Sequence, residues 1–311
     1  MAVGSAALKN GPTSSDVVRK QLAGQRVDTR GLVFQLLLLL ALLISLLFLV
    51  VLLYEVIQGG ISVFTERGVG FLTARLSVVT AATAGVGQAI TGSLFMALFV
   101  ILIAFPIGIG AAVYVEEYAR DTRVNRFINI NIRNLAGVPA IVYGLLGLTI
   151  FVKLMSLGSV MLAGGLTLAV LVLPIVIITS AEALRAVPQS IREAGYGVGA
   201  TKWEVIRSHV LPSAAPGILT GTILSMSRAI GETAPLLIVG ATTGFLATTG
   251  GFLDQLTGPY TTLPTAIYSW ARTPSDDFRA LTSAAIVVLL AMTLTANAVA
   301  IVLRNRYERK W

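Results

Sequence analysis

Between Val33 and Tyr54 the chain reads VFQLLLLLALLISLLFLVVLLY, a run without a single charge. A helix rises ~1.5 Å per residue, so about 20 residues cross a hydrocarbon core ~30 Å thick, and this run is long enough. Nothing else in the sequence constrains the fold as strongly, because in lipid every backbone N–H and C=O must find its partner within the protein. Five further apolar stretches follow, at 89–115, 134–155, 159–180, 213–240 and 280–303. The chain therefore reads as an all-α membrane protein with six transmembrane helices. With 55% hydrophobic and 12% charged residues among 311, it has too little polar surface for a soluble domain of this length. It has no cysteine and one histidine, His209, which excludes disulfides, thiolate metal sites and clustered-histidine sites.

The net charge of +8 would point to nucleic acid in a soluble protein, but here its distribution reports topology. Seventeen Lys and Arg residues fall in the N-terminal tail, the loops after the second and fourth spans, and the C-terminal tail. Only five fall in the alternate loops. That bias places both termini in the cytoplasm. The resulting division is a cytoplasmic tail at 1–32, a first span at 33–54, an extracytoplasmic loop at 55–88, a five-span core at 89–303 and a cytoplasmic tail at 304–311. The tail at 1–32 is rich in Ser, Gly and basic residues and reads as loosely ordered. The first apolar run exceeds the ~7–15 residues of a signal-peptide core, so it is an anchor that stays.

Inside the fifth span, SMSRAIGETAPLL (225–237) carries Arg228 and Glu232, which share a face at i,i+4 spacing on a helix. Each charge costs at least ~2.5 kcal/mol at bilayer depth, so such residues usually face a partner or a pathway. A guanidinium is permanently charged, and its planar fork of donors suits an oxyanion. Glu232 would neutralise Arg228 while the path is empty. The competing reading is a permanent pair that only fixes helix packing. Gly231 permits close helix approach, and Pro235 frees a carbonyl one turn earlier and lets the helix bend. Thr233 and Tyr143 are further polar candidates for the pathway. For Tyr143 and Asn134, placed on the third span, a helix–helix hydrogen bond is the alternative. Pro106 and Pro174 should kink the second and fourth spans. Glu116 and Glu117 should bridge to Arg120 or Arg123.

The inward loop at 181–212 is neither apolar nor disordered in pattern. Pro188 can open a helix through 189–194, which Gly195, Gly197 and Gly199 then break. Thr201 and Glu204 form a T-x-x-E capping box for a second short helix, ended by Pro212. Trp203, Val205 and Ile206 would be exposed on this knob, seeking a groove in a partner. A hairpin resting on lipid is the alternative.

Glu193-Ala194-Gly195, Gly199 and Leu211-Pro212 resemble the EAA loop of ABC importer permeases, E-A-A-x3-G-x9-I-x-L-P, with the family's spacing. Gly195 replaces the second alanine, and His209 stands where an aliphatic residue is usual. The resemblance implies that Glu193, Ala194, Gly195, Gly199, Trp203, Leu211 and Pro212 form a coupling helix that docks into a cytoplasmic ATPase. RAIGETAPLL (228–237), NLAGVPAIVYGLLGL (134–148) and PIGIGAAVYVEEYA (106–119) are similar to the PstA-type permeases of bacterial phosphate importers. Ala140 takes the place of that family's usual serine. The likeness covers roughly 85–305. It implies a PstC-type sister permease, a PstB-type ATPase dimer, a PstS-type extracytoplasmic phosphate-binding protein, and residence in the bacterial inner membrane. ATP and Mg2+ would be used by the ATPase, with no cofactor in this chain.

The sequence has no G-x4-G-K-[ST] loop and no H-E-x-x-H, so it offers no catalytic centre of its own. An ion-coupled secondary transporter of a small anion is the main alternative, with Arg228 and Glu232 as its substrate and proton sites. A self-sufficient carrier, however, has no use for the structured inward loop. An intramembrane enzyme with Glu232 as base would lack a nucleophile or metal set.

Overall fold

The computed structural model describes residues 29–241 and 252–307, and every described element is helical. It divides into two units, 1–55 and 56–311. Helix α1 (Thr29–Arg67) runs through that boundary. Its residues from Leu32 to Tyr54 hold their apolar side chains outward almost without exception, as a helix bathed in lipid does. The expected loop from residue 55 is therefore helical as far as Arg67. A one-turn helix (Val69–Thr73) and a 3-10 turn (Ala81–Thr83) complete the connection. Bilayer thickness sets a minimum length for a span and no maximum, so helices can continue into water on either side.

Helix α2 (Gly87–Tyr118) is the second span, carrying π-helical turns at Val100–Ala104 and Tyr114–Tyr118. Pro106 follows the first of these turns, and the wider winding there accommodates the missing N–H. The third span differs from the expected single helix over 134–155. Helix α3 (Arg123–Ala136) and helix α4 (Ala140–Leu154) meet at a 103° bend across Gly137-Val138-Pro139. Pro139 biases Val138 away from the helical region and so separates the two. Asn134 consequently lies on α3, not on the span.

Helix α5 (Met161–Arg185) continues through Pro174 and is the most buried span, packing against α2, α3, α4 and the helices that follow. After it come α6 (Gln189–Gly197), α7 (Lys202–Gly231), α8 (Ala234–Val239), a single turn at Phe252–Leu256, α9 (Leu263–Ala271) and α10 (Asp276–Tyr307). Five helices are long and apolar enough to span a membrane, and the bent pair α3/α4 makes up to six. Helix α10 runs four residues past the expected end at 303. The tail at 1–28, the stretch 242–251 and residues 308–311 lie outside the described residues.

Three apolar clusters follow one another along α2 within the second unit. The first joins Val63, Phe71, Leu76 and Ala89 to Trp270, Phe278 and Leu281. Met96, Val100 and Ala104 form the second with Tyr143, Leu168, Val172, Leu236 and Tyr260. The third joins Ala112 and Val113 to Ile177, Leu184, Val205, Ile206 and Val210. The last holds the α6–α7 connection against the spans.

Candidate functional site

The fifth span is broken, not merely bent. Helix α7 ends at Gly231. Glu232 is its C-cap in an extended conformation, Thr233 is the N-cap of α8, and Pro235 sits in the first turn of α8. Pro235 cannot donate to a carbonyl of the preceding turn, and at the start of a helix that loss is harmless. Continuous helical geometry is therefore not what brings Arg228 and Glu232 together. They meet because the C-cap turns the carboxylate back along α7: Arg228 Nε donates to Glu232 Oε1 at 3.2 Å. The arginine side chain is 49% exposed and the glutamate 16%. Among the described residues, the two Nη groups have no hydrogen-bond partner. The side chain of Thr233 makes no capping bond. One helical position before the arginine, the Ser227 hydroxyl bonds Asn297 Oδ1, fastening α7 to α10 beside the break.

Tyr143 is buried, and its hydroxyl donates to the Leu135 carbonyl at 2.9 Å. Leu135 O, near the end of α3, also accepts from Val138 N–H at 3.0 Å, so the tyrosine adds a side-chain tie across the 103° bend. The bond joins α4 to α3, the helix–helix contact that is one of the two sequence readings of Tyr143. Its helix passes close to the second break: a Cβ on Gly144 would lie 2.7 Å from Pro235 Cα. The break after Glu232 thus lies close against α4. On the far side of α8, buried Tyr260 donates to Leu236 O at 3.3 Å. Burial pushes the pKa of this loop tyrosine up and keeps it neutral.

The knob forms, with changes of detail. Pro188 is the N-cap of α6, which runs through Gly195 to Gly197, and the elbow falls at Gly199 with φ +84°. Only a residue without Cβ adopts that backbone cheaply. The capping box is present: Glu204 Oε2 accepts from Thr201 N–H at 2.7 Å, and Thr201 Oγ1 accepts from Glu204 N–H at 3.4 Å. Pro212 does not end the second helix. A π-helical turn at Ile206–Val210 leads without interruption into the fifth span, with Pro212 exposed at its start. Val205 and Ile206 are buried instead of exposed, and the surface of the knob includes Glu193, Ala194, Tyr196, Val198 and Trp203. Leu211 is half-buried at the base. The departure at Gly195 has a cause: a Cβ there would stand 2.7 Å from Val205 Cγ2, so glycine lets α6 close onto α7.

Glu116 and Glu117 do not bridge to Arg120 or Arg123. Glu116 pairs with Arg185, and Glu117 accepts from Arg192 Nη2 at 2.7 Å. Arg192 also donates to the carbonyls of Val187 and Leu184, at 2.8 and 3.0 Å. Lys202 lies over the Tyr118 ring, 4.9 Å from its centroid. These contacts tie the knob to the end of α2. The sequence signal was a double glutamate ending one apolar span opposite two arginines flanking the loop of another.

A family model described as "Binding-protein-dependent transport system inner membrane component" matches residues 104–311. The phosphate transport system permease protein PstA of Yersinia pestis is 33% identical over 94% of this chain and 95% of its own length. PstA 1 of Mycobacterium tuberculosis is 33% identical over 84% of each chain. The chain belongs to the PstA-type branch of the binding-protein-dependent permeases. Members of this family are membrane components of ABC transporters, so the chain is a multi-pass inner-membrane transport component. Among solved structures, a bacterial ABC transporter involved in alginate import aligns with TM-score 0.61 at 16% identity, over 95% of this chain and 99% of that one. The inward-facing MetNI methionine transporter aligns with TM-score 0.55 at 18% identity, over 72% and 95%. At these identities the two structures bear on fold alone, and the fold is that of an ABC importer permease.

Proposed function

We propose that this permease forms half of the translocation pathway of an ATP-driven inorganic phosphate importer and that Arg228 is its transient anion contact. The observation carrying this reading is the geometry of the guanidinium. Glu232 holds Nε and leaves both Nη groups open to donate to two oxygens of one oxyanion. A carboxylate on one edge limits how tightly an anion is held, which suits passage better than storage. Support for phosphate as the cargo comes from the relatives named as phosphate transport permeases.

In this reading a PstC-type permease supplies the other half of the pathway, and a PstS-type protein delivers phosphate from outside. A PstB-type ATPase pair binds ATP and Mg2+ and engages the knob through Glu193, Ala194, Trp203 and the Gly199 elbow. The knob and both termini face the cytoplasm. The chain lacks cysteine, so Ser190→Cys should resist an impermeant thiol reagent in intact cells while Asp277→Cys reacts; labelling of Ser190→Cys from outside would reverse the orientation.

The test of the cargo site is radiolabelled phosphate uptake, normalised to assembled complex. Arg228→Gln should abolish uptake. The double variant Arg228→Gln with Glu232→Met removes both charges at similar length, and it should be equally inactive. Substantial uptake by the double variant would mean that the pair serves packing only.

A further inference from the structure

At the break in the fifth span, donor and acceptor capacity stand open side by side. Glu232 Oε1 accepts from Arg228 Nε at 3.2 Å, and among the described residues its second oxygen, Oε2, has no hydrogen-bond partner. The two Nη groups of the arginine are open as well. Hydroxyls near the break are committed elsewhere: Ser227 to Ile223 O and Asn297 Oδ1, Tyr143 to Leu135 O, and Tyr260 to Leu236 O. Gly231 lies between the paired residues, and a Cβ there would meet no other segment within 4 Å, so the space beside the pair is unfilled. An oxyanion on the Nη edge would sit next to a carboxylate held by the same guanidinium. Two negative groups would then lie together, and a shared proton decides whether they attract or repel.

We infer that Glu232 selects the anion by its protonation: the open carboxylate oxygen accepts a hydrogen bond from the O–H of a protonated oxyanion and repels an anion that has none. This rests on the reading of Arg228 as the anion contact and adds the class of anion to it. At neutral pH inorganic phosphate carries at least one P–OH, and arsenate carries As–OH, whereas sulfate carries no proton. Phosphate therefore satisfies both parts of the site, two oxygens taking the Nη donors and a hydroxyl donating to Glu232. Sulfate would take the same donors but set a bare oxygen against the carboxylate, two acceptors with nothing to share. A site that pairs with a substrate hydroxyl rejects the analogue lacking it far better than a site that measures size, because the unmatched polar group stays unpaired. The half-exposure of Arg228 admits water and keeps this discrimination below that of a closed pocket.

The experiment measures equilibrium binding of radiolabelled phosphate to the purified complex of permeases and ATPase in nanodiscs. The extracytoplasmic binding protein is omitted, because its own preference would mask that of the permease. Unlabelled arsenate, sulfate and monofluorophosphate compete. Monofluorophosphate has the tetrahedral shape of phosphate but no O–H at neutral pH, and so separates proton from size. Arsenate should compete nearly as well as phosphate, and the two unprotonated anions about tenfold more weakly. Glu232→Gln keeps an acceptor for P–OH and loses the charge, so sulfate and monofluorophosphate should gain about tenfold relative to phosphate. Glu232→Asp keeps the carboxylate and should keep the order of preference. Sulfate or monofluorophosphate competing as well as phosphate in the unaltered complex overturns the inference, whether or not the variants assemble. An unchanged order in Glu232→Gln overturns it too. In both cases phosphate binding that disappears in Arg228→Gln leaves the cargo reading standing. Phosphate binding that Arg228→Gln retains in full, or that the unaltered complex lacks, removes that reading and this one with it.

Discussion

Two arginine–glutamate pairs, both beside the ends of helices, are built in opposite ways. Arg192 and Glu117 join α6 to α2 at 2.7 Å, with side chains only 11% and 6% exposed, and Arg192 also donates to two carbonyls. Arg228 and Glu232 share a single bond of 3.2 Å across a helix break, with the arginine half-exposed and its outer donors open. The first arginine has its donors engaged by the protein, and the second has donors to offer. A buried charge pair is costly to break, whereas an exposed one contributes little. In the proposed reading, their difference separates holding the fold from meeting a ligand.

The sharpest way to break this comparison is to remove one member of the buried pair. Glu117→Gln leaves Arg192 buried without its counter-charge, a change that typically costs about 3–5 kcal/mol. The membrane yield of assembled permease should collapse, and the residual complex should melt at a lower temperature. Replacing both partners with Met should recover most of the stability, because apolar side chains of similar volume need no compensation. Equal stability of Glu117→Gln and the unaltered chain would show that the pair does not hold the knob.

Substitutions in the knob should have a smaller effect on stability and a large one on coupling. At Gly199 the backbone has φ +84°, and a residue bearing Cβ is disfavoured there by about 1–2 kcal/mol. Gly199→Leu should still insert into the membrane yet lose substrate-dependent stimulation of the partner ATPase. Gly195→Val should behave similarly, by pushing α6 off Val205. Normal stimulation in both variants would mean that ATPase contact does not require the closed elbow.

The contrast between the pairs also marks what could be read from the sequence. Arg228 and Glu232 lie four residues apart, and local spacing was enough to join them, although the turn that brings them together is a cap and not a helix. Glu117 and Arg192 lie 75 positions apart, and only the packing of α2 against α5 and the knob shows that they meet. The spans were legible because hydrophobic length is a local property. The breaks were less so: Pro235 announces a disturbed helix, but whether a proline is passed over, as Pro174 is within α5, or divides a span, as Pro139 and Pro235 do, depends on neighbouring helices. Small residues such as Gly144 decide that, and their close contacts are not visible along the chain. In the knob, the capping box was legible from Thr201 and Glu204. The burial of Val205 and Ile206 was not, because the surface that covers them comes from distant segments.

The smallest effect on stability is expected at Arg228, and its smallness is what makes the experiment informative. An ion pair with one half-exposed partner and a single bond contributes on the order of 0–1 kcal/mol. Arg228→Gln should therefore leave the melting temperature of the assembled complex within about 2–4 °C of the unaltered protein, given a chain of this size. Arg228→Lys keeps the charge but loses the planar fork, so it should be as stable and only partly active in phosphate uptake. Glu232→Gln retains the arginine and removes its restraint. It should bind phosphate more tightly and release it more slowly, so that uptake falls while equilibrium binding rises. A packing role predicts a different ordering, in which stability and uptake fall together in all three variants and recover together in the double variant. Measuring melting temperature and uptake on the same preparations separates the two, since a ligand contact moves uptake alone.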